Sequence, residues 1–185
     1  MIKEALQDAE RRMRSAILSL QEDLSGIRTG RANPGLVEKL SIEYYGSPVP
    51  LLQLASISVP EPRQLLIKPF DATSIKDIEK AILASQLSLT PVNDGKVVRL
   101  NLPILTEERR HDLKKLVNTR LEEARVAVRN VRRDTIKDIR EFESEKLISE
   151  DEQKNGEDAI QKLTDRTVEE ISTLGSEKDK EIMEV

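Results

Sequence analysis

All eight prolines of this 185-residue chain lie between Pro34 and Pro103, and neither flank contains one. Proline lacks a backbone N–H and clashes with the preceding helical turn. Long helices are therefore permitted only before and after the middle of the chain. The distribution marks a domain boundary in composition. It predicts a small, turn-rich unit inserted between helical segments.

The flanks carry the matching periodicity. Ile2, Leu6, Ala9, Met13, Ile17, Leu20, Leu24 and Ile27 recur at intervals of three and four, an a/d-type seam with one extra step after Met13. Gly26, Thr29, Gly30, Asn33, Pro34 and Gly35 then break the helix. Beyond Pro103, Thr106 is a predicted cap, with Glu107 and Glu108 at the positive end of a helix reaching about Glu145. At ~100° per residue, Leu113, Val117, Leu121, Ala124, Val128, Val131, Thr135 and Phe142 fall in one sector. Ser149 and Glu152 form a capping box for a third helix. Its seam reads Ile160, Leu163, Thr167, Ile171, Leu174 and Ile182, interrupted at Lys178, with Gly156 and Gly175 weakening it. With two Tyr, two Phe and no Trp, the core must be aliphatic.

Between the flanks, Lys39–Tyr45, Leu54–Val59, Gln64–Lys68, Leu87–Leu89 and Val97–Leu102 read as strands. Ser74–Ala84 reads as a helix capped by Ser74 with Asp77 in its first turn. Asn93-Asp94-Gly95 reads as a tight turn. The predicted fold class is α+β, mostly α: an antiparallel three-helix bundle from residues 1–29 and 106–185, with a small β/α/β domain, 31–104, inserted between its first two helices. The connectors, near 29–33 and 103–106, comprise Thr29, Gly30, Arg31, Pro103, Ile104, Leu105 and Thr106. Two short linkers without a covalent or metal staple predict a hinge.

The net charge of −4 conceals an asymmetry. Residues 107–140 hold eleven Lys and Arg against seven acids, whereas 141–185 hold six against fifteen. Arg125, Arg129, Arg132, Arg133 and Arg140 share a sector beside the apolar seam, and no acid lies between Arg125 and Arg133. A run of Arg without Lys is unlike a merely soluble face, and its planar fork suits phosphate and base edges. Tyr44 and Tyr45 alternate faces in a strand, placing one inside and one at the rim. His111, the single histidine, is expected to be an exposed helical residue with no nucleophile beside it. Zero cysteine excludes disulfides and Cys-ligated metal. With no Gly-rich phosphate loop either, no enzyme is expected.

The segments IRTGRANP (27–34), IEYYGSPVPLLQLASISVPEPR (42–63), LTEERR (105–110), EEARVAVRNVRRD (122–134), SEDE (149–152) and QKLTD (161–165) resemble the bacterial ribosome recycling factor family, in order and over essentially the whole chain. The resemblance implies an L-shaped molecule, a three-helix bundle with a hinged β/α/β domain. It implies a factor without catalytic activity that binds the post-termination ribosome across the A and P sites. With elongation factor G and GTP hydrolysis by that partner, it splits the ribosome into subunits. The bundle would lie against large-subunit rRNA, with Arg129, Arg132 and Arg133 in contact and Arg28 and Arg31 at the connector. Arg125 joins them from the ridge itself, and Arg132 is the foremost candidate. The small domain and hinge would face elongation factor G. Asn118, Thr119, Arg120 and Ile104 depart from the family pattern, which bears on pairing with another organism's elongation factor G.

A monomer is expected in the bacterial cytoplasm, since Met1–Leu20 is too charged for a signal peptide and no Arg-rich, acid-poor presequence is evident. No cofactor of its own, no membrane and no DNA are expected. Two rival classes stay open. A coiled-coil chaperone or adaptor would be an extended dimer with an exposed apolar seam. A DNA-binding regulator would place the Arg ridge in a major groove and would need half-site geometry that a bundle lacks.

Overall fold

Three helices with complementary seams have to cover one another, because each alone is marginal in water. The computed structural model, which describes Met1–Glu184, contains in chain order α1 (Ile2–Ser25), β1 (Ser41–Tyr44), β2 (Ser47–Pro50), the single turn α2 (Leu51–Leu54), β3 (Ala55–Glu61), β4 (Gln64–Pro69), α3 (Ile75–Ala84), β5 (Pro91–Asn93), β6 (Val98–Asn101), α4 (Glu107–Ser144) and α5 (Glu150–Met183). It divides into two units, Met1–Arg28 with Glu108–Glu184, and Thr29–Glu107.

In the first unit, cross-helix contacts fix the directions. Arg12 of α1 meets Asp134 of α4 at 2.8 Å, and Asp23 acts electrostatically on Arg120, so these two helices run antiparallel. Arg140 meets Glu157 at 2.8 Å and Arg125 meets Ser172 at 3.4 Å, so α4 and α5 also run antiparallel. Glu10 with Arg166 and Arg14 with Glu170 then leave α1 and α5 parallel. Met13, Ile17 and Leu20 of α1 are buried with Val117, Val128 and Ile139 of α4 and Ile160, Ile171 and Ile182 of α5. Buried hydroxyls of Thr135, Thr164 and Thr167 donate to the carbonyls of Val131, Ile160 and Leu163 four residues back, so none is left unsatisfied.

The third seam differs from its sequence reading. α5 buries Gly156, Thr164, Gly175 and Lys178, while Leu163 and Leu174 are only half-buried. Lys178 continues the seam, its Nζ 3.1 Å from Glu181 while its apolar stem packs inward. A Cβ on Gly156 would lie 3.2 Å from Ile139 Cδ1, and one on Gly175 would collide with Leu121. Both glycines are therefore sites of close helix approach. In α4, Ile139 carries the buried seam position that apolar spacing assigns to Phe142, which is half-buried beside the helix end.

In the second unit, β3-β4-β6-β5 form one antiparallel sheet. Alternation places Leu65 and Ile67 of β4 opposite Leu100 and Val98 of β6, and all four are buried together with Ile75, Ile78 and Ile82 of α3. β1 and β2 pair separately, Tyr44 against Ser47. Tyr45 and Gly46 form the turn between them at φ 48° and 79°, the left-handed combination that hairpin turns require. β2 has no counterpart among the expected strands, and the strand expected at Leu87–Leu89 forms instead at Pro91–Asn93. Ser74 holds the N-cap position of α3 as expected but makes no capping bond, its hydroxyl donating instead to Asp71 O at 2.7 Å. Asp71 accepts from Thr73 N–H at 3.0 Å and opens a short 3-10 turn that runs into the helix.

Candidate nucleic-acid interface

The ridge lies on one face of α4 because positions 125, 129, 132, 133, 137 and 140 are separated by whole turns or neighbouring steps at 3.6 residues per turn. Arg129, Arg132, Arg133, Lys137 and Arg140 line an open groove of about 830 Å³ with Val126, Asn130 and Ile136. No carboxylate is among these lining residues. Lys137 falls outside a pattern drawn from arginine alone. Its spacing of four from Arg133 is the signal that places it on the ridge.

The five cations are not equivalent. Glu122 accepts from Arg129 at 2.6 Å and stands 3.7 Å from Arg125, so one carboxylate holds two guanidinium groups. The hydrogen bond from Arg129 is the main reason that the Glu122 carboxyl titrates below the usual carboxylate range. Arg140 is paired with Glu157, whose carboxyl is likewise held low by the Arg140 bond and then by Gln153. Arg132 and Arg133, by contrast, bond to neutral amides. Arg132 Nη1 donates to Gln161 Oε1 at 3.0 Å, and Arg133 donates to Asn130 Oδ1. Their charge stays uncompensated by a contacting carboxylate. Arg132 is half-buried, and its Nε–H is buried without a partner.

An arrangement of this kind offers charge-assisted donors spread along a rigid helix, which suits phosphate oxygens and does not read a sequence. Arg125, half-buried under Glu122 and Ser172, is the least available of the predicted set. Arg28 is exposed just past the end of α1. With Asp23 level with Arg120, it stands roughly 25 Å along the bundle from Arg132 at 1.5 Å per residue. Arg31 is exposed and belongs to the other unit. The structure therefore brings Arg129, Arg132 and Arg133 together, with Arg125 at their edge, and does not bring Arg28 to them.

At the connectors, Gly30 adopts φ 79°, and a Cβ there would lie 3.1 Å from Leu105 Cγ, so the two linker segments pass side by side. Ile104 is exposed and Thr29 is buried. Tyr44 donates to Asp71 at 3.1 Å, which raises the Tyr44 hydroxyl above its ordinary range, while Tyr45 is 84% exposed with its ring edge against Tyr44. His111 is exposed. Among the described residues no group of His, Cys, Asp and Glu is placed to hold a metal ion, and no helix is long and apolar enough to cross a membrane.

A family model described as Ribosome recycling factor matches residues 20–183. A protein named Ribosome-recycling factor from Syntrophomonas wolfei subsp. wolfei is 55% identical over 185 residues, covering all of both chains. Its namesake from Roseiflexus sp. (strain RS-1) is 51% identical over the same span. A solution structure of the ribosome recycling factor is similar at TM-score 0.77 and 46% identity, covering 100% of this chain and 98% of that one. A structure of the T. thermophilus ribosome recycling factor and the E. coli elongation factor G bound to the E. coli post-termination complex offers a further match, at TM-score 0.67 and 42% identity, with 98% of each chain covered.

Proposed function

The chain belongs to the ribosome recycling factor family, whose members are translation factors rather than enzymes, and from that premise we propose that it splits post-termination ribosomes by binding large-subunit rRNA through the α4 groove. In this reading the bundle unit lies across the A and P sites. Elongation factor G supplies GTP hydrolysis, so the chain needs no cofactor of its own. The factor works as a cytoplasmic monomer. Residues 1–29 with 106–185 form the RNA-binding domain, and 31–104 the domain that meets elongation factor G. Thr29, Gly30, Arg31, Pro103, Ile104, Leu105 and Thr106 are the hinge. Arg132, Arg133 and Arg129 contact rRNA directly, Arg125 supports them, and Arg28 and Arg31 reach RNA nearer the connector.

The observation that carries the reading is the groove itself: five cations, no lining carboxylate, and two guanidinium groups held only by amides. The adaptor alternative needs an apolar seam open to a second chain. Here the three seams bury one another within a single chain, which favours the recycling reading.

The test is sucrose-gradient sedimentation of vacant ribosomes with the chain, a cognate elongation factor G and GTP, omitting each in turn. Subunits are expected only in the complete mixture. Intact ribosomes together with absence of the chain from the ribosome peak would overturn the reading. Arg132→Ala is expected to leave the unfolding midpoint within about two degrees while sharply weakening large-subunit binding. A folded variant that binds normally would remove Arg132 from the interface.

A further inference from the structure

Gln161 and Asp165 of α5 add no cation to the groove, yet Gln161 touches its foremost arginine. Gln161 Oε1 accepts from Arg132 Nη1 at 3.0 Å, and Gln161 Nε2 donates to Asp165 Oδ1 at 2.8 Å, one turn further along α5. The second bond decides which way the amide points. Turned over, it would set its NH2 against the guanidinium, donor to donor, and its carbonyl against the carboxylate, acceptor to acceptor. Asp165 therefore aims the carbonyl at Arg132, and the chain of bonds strengthens each member.

The chemistry of the acceptor matters as much as its position. Arg129 and Arg140 are held by carboxylates, Glu122 and Glu157, which offset their charge before any phosphate arrives. An amide orders the guanidinium and leaves its full charge for the ligand. It also ties only one nitrogen of a fork that carries five N–H donors. We propose that Gln161, oriented by Asp165, is a positioning residue that holds Arg132 for phosphate of large-subunit RNA. This rests on the reading that the α4 groove binds RNA.

The test is the salt dependence of binding between the full chain and purified large ribosomal subunits, for wild type, Arg132→Ala, Gln161→Ala, Gln161→Glu and the two double variants. In Gln161→Ala, Arg132 keeps its charge but loses its tether. Affinity is expected to fall about three- to tenfold, the range for immobilising one long side chain on binding, with the log-log salt slope unchanged. In Gln161→Glu the new carboxylate pairs with Arg132. Affinity is expected to fall further, and the slope to become shallower by about 0.7 to 0.9, one phosphate contact. Arg132→Ala should lose the same slope, and in its background neither Gln161 change should alter affinity by more than about twofold. Gln161 is exposed and Arg132 only half-buried, so thermal unfolding should stay near wild type and report any variant that fails to fold.

If Arg132→Ala weakens binding while both Gln161 variants bind as wild type, Gln161 is a bystander and the proposal falls with the RNA face intact. Losses from Gln161 variants that persist in the Arg132→Ala background would also overturn it, because Gln161 would then be acting without Arg132. Normal binding by Arg132→Ala would remove Arg132 from the interface, and this proposal with it, through a variant that leaves Gln161 untouched.

Discussion

Helices α4 and α5, 38 and 34 residues long, run antiparallel in one bundle and divide the work of packing unequally. α4 supplies knobs: Leu113, Val117, Leu121, Val128, Val131 and Ile139 are buried. α5 supplies holes for two of them, Gly156 against Ile139 and Gly175 against Leu121, and buries these glycines alongside Ile160, Ile171 and Ile182. Their outer faces divide charge in the same way, cations along α4 and acids along α5. A helix that presents bulky guanidinium groups on one side gains from a partner that lets its other side approach closely. Small residues, not large ones, set that approach at Gly175, where even a Cβ would strike Leu121.

The largest effect should come from removing a knob. Leu121→Ala is expected to cost on the order of 2 to 5 kcal/mol in denaturant unfolding, by lost transfer energy and the cavity left behind. An unchanged midpoint would show that Leu121 is not a knob of the core. A sharper test is one of sign. Gly→Ala inside a helix ordinarily gains about 1 kcal/mol. Here Gly175→Ala in the wild type should instead destabilise by about 1 kcal/mol, because the new methyl overpacks against Leu121. In a Leu121→Ala background the methyl enters vacated space, and the same substitution should stabilise by about 0.5 to 1 kcal/mol. Equal effects in both backgrounds would show that the two residues are not coupled.

The same contrast explains what is legible in the sequence. Knobs announce themselves: every α4 seam position except Ile139 is readable from apolar spacing, as are the bundle class and the inserted α+β unit marked by the prolines. Holes do not. Gly156 and Gly175 read as helix weakeners, and Lys178 as a break, because composition does not reveal how near a neighbouring helix comes. Apolarity favours Leu163 and Leu174 over Thr164 and Gly175, one residue further on in each case. In the small unit, Tyr45 hides a hairpin turn, since a bulky residue at positive φ is unusual, and β2 contains two prolines that argue against a strand. For the groove, Arg129, Arg132 and Arg133 are legible from helical spacing. Their partners are not, because Glu122 and Gln161 are told apart from other surface groups only by tertiary contact.

Between the two helices lies a junction that combines one well-chosen residue and one costly one. Ser149 and Glu152 open α5 with reciprocal bonds, Ser149 N–H to Glu152 Oε2 at 2.8 Å and Glu152 N–H to Ser149 Oγ at 3.3 Å. Ser149→Ala should cost about 1 kcal/mol. The bonds from Ser149 N–H and hydroxyl hold the Glu152 carboxyl below its ordinary range. Its folded value is the depressed one, so the stabilisation is complete above the ordinary glutamate value of about 4.3 and fades as pH falls through the folded value. The stability gap between wild type and Glu152→Ala should accordingly be full at neutral pH and narrow in acid. A constant gap would mean that the charge contributes nothing.

The smallest effect is expected at the end of α4. Leu147 N–H returns to Phe142 O at 2.9 Å and Lys146 N–H to Glu143 O at 2.8 Å, with Lys146 at φ 57°. That pair of bonds around a left-handed residue is the Schellman ending, where glycine is usual because it lacks the Cβ that strains this conformation. Lys146→Gly relieves the strain but gives the unfolded chain more freedom, so the net gain should be up to about 1 kcal/mol, or 2 to 4 °C for a chain of this size. Lys146→Val should do the opposite, since a β-branched side chain tolerates positive φ least. If glycine and valine gave the same unfolding midpoint, backbone strain would not be what limits this ending.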